Sequence, residues 1–252
     1  MSGTTWVLGG GSGIGRACAL SLAAASDLVV VSGRRADHLE ETAAAVAATG
    51  CPALALPLDV TDDDAVARAG AAVEDRGGPV ARLVYSAGTN TPRRAWSQLS
   101  GTAFAGVVDT NLTGVVRAAS AVLPGMRSRG GGHVVLVSSW AGWTFSPGAG
   151  AAYSASKTAM GSLAETLNQQ ERHHGVRATH LCPGEVATDI LRTRPVPPTD
   201  AETSLMLAPE DVASAVAWVC SQPGRVCVNE LVITPTANAS YAAPVPVPAG
   251  AR

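Results

Sequence analysis

The stretch "VLGGGSGIGRA", Val7 to Ala17, decides the fold. Glycine stands at positions 9, 10, 11, 13 and 15, between the apolar segment "TTWVLG" and a helical pattern that opens near Ile14. So bare a run is a linker, a plain turn, or a place where a ligand meets the backbone. Glycine reaches φ > 0 without steric cost and lets backbone N–H groups approach a phosphate, which the positive end of a helix also favours. At a strand-to-helix junction, the ligand-cradling reading applies.

The rest of the chain repeats that junction. "LVVVSG" (28–33) precedes "DHLEETAAAVAATG" (37–50), with Gly50 as a helix C-terminal cap. "ALALPLDV" (53–60) precedes "TDDDAVARAGAAVEDRGG" (61–78), with Thr61 as the expected N-cap and acids in the first turn. "ARLVYSAG" (81–88) leads to one long helical pattern over 104–130. "GHVVLVSS" (132–139) precedes a helix opening near Ala152. "VRATHLCPG" (176–184) follows, and "VCVNELVI" (226–233) closes the series after the helix "PEDVASAVAWVCSQ" (209–222). Strands that are apolar throughout and alternate with helices imply a parallel sheet covered on both faces. The expected fold is α/β: a single doubly wound, Rossmann-type domain over residues 1–236, with a seven-stranded parallel sheet and helices on both faces. Residues 237–252, "ANASYAAPVPVPAGAR", are an Ala/Pro-rich tail expected to be extended or flexible.

Composition narrows the function. Of the 252 residues, 46% are hydrophobic and 15% charged, as in a chain with a sizeable core. A net charge of -2 leaves no basic excess for nucleic acid. Cys18, Cys51, Cys182, Cys220 and Cys227 have no metal-ligand or C-x-x-C spacing, so no metal is expected and the thiols read as reduced, in a cytoplasmic setting. His133, His173, His174 and His180 likewise lack ligand spacing and read as surface or strand-end residues. No apolar run approaches the ~20 residues that span a bilayer, so no membrane role is expected.

Gly9, Gly13 and Gly15 fit G-x-x-x-G-x-G, not G-x-G-x-x-G. Further motifs follow in order: Asp59-Val60, Ala87-Gly88, Asn111, "SS" ending at Ser139, Y-x-x-x-K at Tyr153 and Lys157, and "PGEVAT" from Pro183 to Thr188. On these motifs the chain resembles the short-chain dehydrogenase/reductase family from residue 4 to about 236. The ending "APEDVASAVAWVCSQP…VNELVITPT" resembles an NADP-preferring branch. Two positions depart from the family pattern: Leu8 replaces a usual Thr and Ser86 a usual Asn.

The resemblance implies roles. Tyr153 exchanges the proton with a carbonyl or alcohol oxygen, Ser139 polarises that oxygen, and Lys157 lowers the Tyr153 pKa and holds the nicotinamide ribose. Asn111 anchors a proton relay. The cofactor positions are Gly9, Gly11, Ser12, Gly13, Ile14, Gly15, Ala87, Gly88, Pro183 and Gly184, with Tyr153 and Lys157. Val186 and Thr188 contact the carboxamide, and Asp59 and Val60 the adenine. The physics of the Tyr–Lys pair agrees with these roles. Residues four apart share a helix face. Bringing a phenol from about 10 to near 7 takes ~4 kcal/mol. A cation at ~4 Å in an effective dielectric of ~20 supplies about that, and a more distant lysine needs help from the charged cofactor ring.

Gly33-Arg34-Arg35 closes the second strand, where an NAD site would place an acid on the ribose 2′-OH. An arginine there pairs with a 2′-phosphate, so NADP (NADPH) is expected over NAD. Substrate walls are expected after Ser139, Gly88 and Thr188. Trp140, Trp143 and Phe145 offer an apolar wall. Arg93, Arg94, Arg192 and Arg194 either hold an anion or are solvated loop charges, and Glu185 either faces the pocket or caps a turn. The leading reading is an NADP-dependent carbonyl reductase or alcohol dehydrogenase acting on a small carbonyl or alcohol substrate. The alternative is a non-catalytic NADP-sensing regulatory protein on the same fold. The resemblance also implies a homotetramer or homodimer packed through the helices around Asn111 and after Tyr153, where Ala155, Ala159, Gly161 and Ala164 permit close approach.

Overall fold

The computed structural model describes residues 3–238 and residue 241. Strands β1 (Thr4–Leu8), β2 (Leu28–Gly33), β3 (Ala53–Pro57), β4 (Val80–Tyr85), β5 (Gly132–Val137), β6 (Val176–Pro183) and β7 (Glu230–Ile233) form one sheet in the order β3-β2-β1-β4-β5-β6-β7. Every neighbouring pair is parallel. The order reverses between β1 and β4, which opens a crevice at the carboxyl ends of the strands.

Side-chain alternation along each strand feeds two cores. Trp6 and Leu8 face one way and Val7 the other, all fully buried. Trp6 and Leu8 pack with Val66, Val115 and Met160, on α3 (Asp63–Gly77), α5 (Gly114–Ser128) and α7 (Ala151–Glu171). Val7 packs with Ala17, Leu39 and Val216, on α1 (Gly13–Leu22), α2 (Ala36–Ala47) and α9 (Pro209–Ser221). The sheet is therefore covered on both faces, and two single-turn helices, α6 (Trp140–Trp143) and α8 (Asp200–Thr203), belong to the connections after β5 and β6. No helix among the described residues is long and apolar enough to cross a membrane.

Several expectations are corrected. The N-cap of α3 is Asp62, whose side chain accepts from the Ala65 N–H at 2.8 Å; Thr61 is turned onto Asp59 instead. The long pattern 104–130 is not one helix. It divides into α4 (Gly101–Val108) and α5, joined by a π-helical turn over Asp109–Thr113. β3 and β4 end at Pro57 and Tyr85, earlier than expected, and the residues beyond them line the crevice. β7 starts at Glu230 rather than 226. The Val226 and Val228 carbonyls accept from the Arg177 and Thr179 side chains, so the ladder begins after them.

Of the two readings offered for the histidines, surface or strand end, His133 and His180 are not at the surface: both are buried, His133 near the start of β5 and His180 within β6, and burial pushes the His133 pKa down to about 3. Ala164 lies in a core rather than on an outward face, and Gly161 faces the His180 ring. Ala155 is exposed. The cysteines are free thiols. Most of the tail, residues 239–240 and 242–252, lies outside the described residues.

Candidate active site

A cleft of about 1540 Å³ occupies the crevice. At one end lies the glycine loop. Gly9 has φ +80, and a Cβ there would come 2.6 Å from the Ala87 N, so only glycine lets this loop lie against the end of β4. A Cβ on Gly15 would collide with the Gly9 carbonyl, so Gly15 serves the close packing of α1 on the loop. It alone of the expected cofactor positions does not line the cleft. Gly13 (φ +51) lets the Thr188 methyl come within 3.0 Å of where its Cβ would stand, which brings the "PGEVAT" segment to the loop.

The start of α1 is electrostatically open. Ser12 sits at the N-cap but makes no capping bond, and the first turn carries no acid. The unpaired N–H groups of such a helix start favour an anion. The Ser12 hydroxyl instead accepts from Arg35 at 3.0 Å, which holds that guanidinium over the loop. Arg34 is exposed beside Asp59. Bonds from the Thr61 N–H and hydroxyl, with Arg34 and Arg117 nearby, keep the Asp59 carboxyl below its ordinary value. A glycine cradle, an open helix start and two arginines on one wall fit a phosphate-rich dinucleotide.

At the other end, β5 delivers Ser139 and the first turns of α7 deliver Tyr153 and Lys157. The Ser139 Oγ accepts from the Ala141 N–H at 3.2 Å and shares a hydrogen bond with the Tyr153 hydroxyl. The Lys157 Nζ donates to the Val137 carbonyl at 2.8 Å and lies 5.7 Å from the Tyr153 ring centroid. Burial pushes the Lys157 pKa down to about 8. Burial also raises the Tyr153 pKa, against the opposing pull of the Ser139 bond and the Arg94 and Arg194 charges. In this structure the downward pull comes from Ser139 and the two arginines.

Asn111 does not line the cleft. It is fully buried in the π-helical turn. Its Oδ1 accepts from the Thr89 N–H at 2.8 Å, and its Nδ2 donates to the Thr89 carbonyl and the Ser156 hydroxyl. Ser156 in turn donates to the Tyr153 carbonyl. Asn111 thus ties the loop after β4 to the turn of α7 that carries Tyr153. A π-turn is a recurrent functional marker, but helical periodicity in sequence does not reveal one.

Trp140 and Phe145 line the cleft. Trp143 packs on Trp140, with ring centroids 4.9 Å apart, but does not line it. Sequence patterning gave no sign of Tyr241, whose ring meets Trp140 edge-on at 5.6 Å. Of the four loop arginines, Arg94 and Arg194 line the cleft and Arg93 and Arg192 do not. Glu185 faces it, paired with Arg194 at 2.8 Å. The structure also gathers His180, Cys182 and Glu230, a set the spacing did not reveal. The His180 Nδ1 lies 3.0 Å from a Glu230 oxygen, and the Cys182 sulfur lies 3.5 Å from both ring nitrogens.

A family model described as short chain dehydrogenase matches residues 4–196. The chain is 32% identical to an uncharacterized oxidoreductase of Listeria monocytogenes, over 92% of this chain and 96% of that one. It is 35% identical to the glycine betaine reductase of Emericella nidulans, over 91% of this chain but only 18% of that longer protein. Among solved structures it resembles an alcohol dehydrogenase of Thermococcus sibiricus complexed with 5-hydroxy-NADP, with a TM-score of 0.83 and 27% identity over 94% and 97% of the two chains. It also resembles the actinorhodin polyketide ketoreductase with NADPH, with a TM-score of 0.83 and 28% identity over 92% and 95%.

Proposed function

The chain belongs to the short chain dehydrogenase family of oxidoreductases, and from that premise we propose that it is an NADP(H)-dependent carbonyl reductase or alcohol dehydrogenase with Tyr153 as proton donor and acceptor. One observation carries the reading: Ser139, Tyr153 and Lys157 converge in the same cleft whose other end is a glycine cradle walled by Arg34 and Arg35. The alcohol dehydrogenase and ketoreductase among its structural relatives, with 5-hydroxy-NADP and NADPH, support the cofactor and the reaction class. Nothing in these comparisons favours the sensing alternative.

A nicotinamide cofactor, when bound, supplies the hydride that no side chain provides. Gly9, Gly11, Ser12, Gly13 and Ile14 would hold its pyrophosphate, Asp59 and Val60 its adenine end, and Val186 and Thr188 its carboxamide. The chain's own residues manage the proton. Ser139 donates to the carbonyl oxygen and positions it. Tyr153, whose raised pKa keeps it protonated at neutral pH, gives its proton to that oxygen. The Lys157 ammonium stabilises the phenolate left behind; at roughly 6 Å and an effective dielectric of ~20 this amounts to about 3 kcal/mol. Asn111 keeps the surrounding elements in register and serves the relay that returns a proton to Lys157. The Asn111 Oδ1 and the Lys157 Nζ both flank Gly88.

The test is loss of NADPH absorbance with a panel of ketones and aldehydes, and its gain with alcohols and NADP+. Turnover of at least one class is expected, and no turnover of any would overturn the reading. The pH profile adds a check. The Lys157 pKa lies near 8, so the ammonium is present below that and lost above it. Carbonyl reduction should hold level up to about pH 8 and then fall, up to about tenfold per unit. A level profile through about pH 10 would remove Lys157 from the mechanism.

Self-association as a homodimer or homotetramer is also proposed. Phe104 and Val116, on the helices that flank Asn111, are apolar and exposed. Light scattering should give a multiple of 25.4 kDa, and a mass near one chain would refute this.

A further inference from the structure

Away from the cleft, β6 and its edge neighbour β7 bring together a nitrogen, a sulfur and a carboxylate oxygen. His180 and Cys182 stand two apart on β6, so both side chains leave the same face of the sheet. That face is the one α7 covers, where Gly161 passes over the His180 ring. Glu230 is paired with His180 in the β6–β7 register and brings its carboxylate beside the same ring. The His180 Nδ1 lies 3.0 Å from a Glu230 oxygen and 3.5 Å from the Cys182 sulfur. All three donor atoms lie within 4.8 Å of one another. None of the three residues lines the cleft.

These spacings suit ligands of a single ion. Around a tetrahedral zinc, with Zn–N of ~2.0 Å and Zn–S of ~2.3 Å, nitrogen and sulfur stand ~3.5 Å apart and nitrogen and oxygen ~3.3 Å. His180 and Cys182 already have that separation, and His180 and Glu230 are within a few tenths of an ångström of theirs. The burial is graded. Cys182 is fully buried and His180 nearly so, whereas Glu230 is about half exposed on the edge strand. The two buried donors give a desolvated seat, and Glu230 gives the route in from solvent. Gly161 keeps the seat uncrowded, since a Cβ there would stand 3.3 Å from the His180 Nδ1.

Charge and donor type select the ion. A thiolate and a carboxylate carry two negative charges, which a divalent cation cancels, so the buried cluster ends neutral. A neutral cluster also spares Lys157, which acts electrostatically on Cys182. Nitrogen and sulfur donors favour a borderline-soft ion over magnesium or calcium, which take oxygen.

We propose that His180, Cys182 and Glu230 bind one zinc-type divalent cation, at a site separate from the catalytic cleft that bridges β6 to β7. Binding breaks the Cys182 S–H bond, forms a metal–thiolate bond and releases the proton to solvent. The ion keeps its oxidation state.

The experiment uses the full untagged chain, reduced and freed of metal with a chelator, and titrates it with cobalt(II) as a spectroscopic stand-in for zinc. A thiolate-to-cobalt charge-transfer band should grow to saturation at one equivalent. Zinc should abolish the band and magnesium should leave it. Cys182→Ser should remove the band, and Cys227→Ser, at the exposed cysteine, should keep it. Glu230→Gln and His180→Asn should each weaken zinc affinity by about tenfold or more, the scale of one charge-assisted contact. No band in the wild type, a band that survives Cys182→Ser, or zinc affinity unmoved in both ligand variants overturns the proposal. If the buried variants fail to fold by circular dichroism, the half-exposed Glu230→Gln decides. Zinc should raise the unfolding midpoint of the wild type, and raise it less in Glu230→Gln. An equal rise in both proteins overturns the site.

Discussion

Tyr153→Phe is expected to lower carbonyl turnover by about 10²- to 10⁴-fold, the range of a positioned general acid. Dinucleotide affinity should stay within about twofold. Only the hydroxyl is removed. The ring that lies 5.7 Å from the Lys157 Nζ remains, and so does the Lys157 bond to the Val137 carbonyl. Ser139 loses one partner but keeps the Ala141 N–H. The fold should therefore survive, with an unfolding midpoint near that of the wild type. The readouts are kcat at saturating cofactor and cofactor binding by fluorescence titration. A variant retaining more than about a tenth of wild-type turnover would take the proton away from Tyr153.

The second large effect concerns the cofactor. The glycine loop meets a pyrophosphate common to both dinucleotides, so discrimination falls to the end of β2. A charge-assisted contact to phosphate is worth roughly 1.5–3 kcal/mol, or ~10- to 150-fold. NADPH should exceed NADH by at least about tenfold in both kcat/KM and affinity. Gly33→Asp with Arg34→Ala should reverse this, since an acid accepts from a free 2′-OH and repels a phosphate. The site has room for the change, because the nearest atom to a Cβ on Gly33 is a Leu39 methyl at 3.8 Å. Arg35, which Ser12 holds over the loop, remains in that variant and should leave residual NADPH affinity. Adding Arg35→Ala should complete the swing. Equal affinities for the two cofactors in the wild type would leave both arginines as ordinary surface charges.

Most of the architecture was legible because it rests on local rules. Apolar runs such as "LVVVSG" must be buried on both faces, and helical periodicity between them must supply the cover. Boundaries were less legible. Thr61 and Asp62 are both good caps, and the choice went to Asp62 because Asp59 draws the Thr61 N–H and hydroxyl away. The π-turn at Asp109–Thr113 was hidden inside a helical pattern that it barely disturbs. His133 and His180 read as surface or strand-end residues because a histidine within a strand carries no sign of its burial.

The amino-acid sequence by itself determined the seven parallel strands, the glycine cradle at their reversal point, and the Tyr153–Lys157 pair on one helix. Each is set by short-range periodicity, backbone freedom at glycine, or a four-residue spacing. Only the tertiary structure decided that Asn111 is a buried tie between Thr89 and Ser156, that Gly15 serves packing, and that Arg94 and Arg194 overlook Tyr153 while Arg93 and Arg192 do not. The physical reason is reach. Arg94 is held by the Gly148 carbonyl, 54 residues away, and Arg117 by the Val60 carbonyl, 57 away. No local pattern encodes which way such a side chain turns until the distant backbone that accepts its hydrogen bond has been brought alongside.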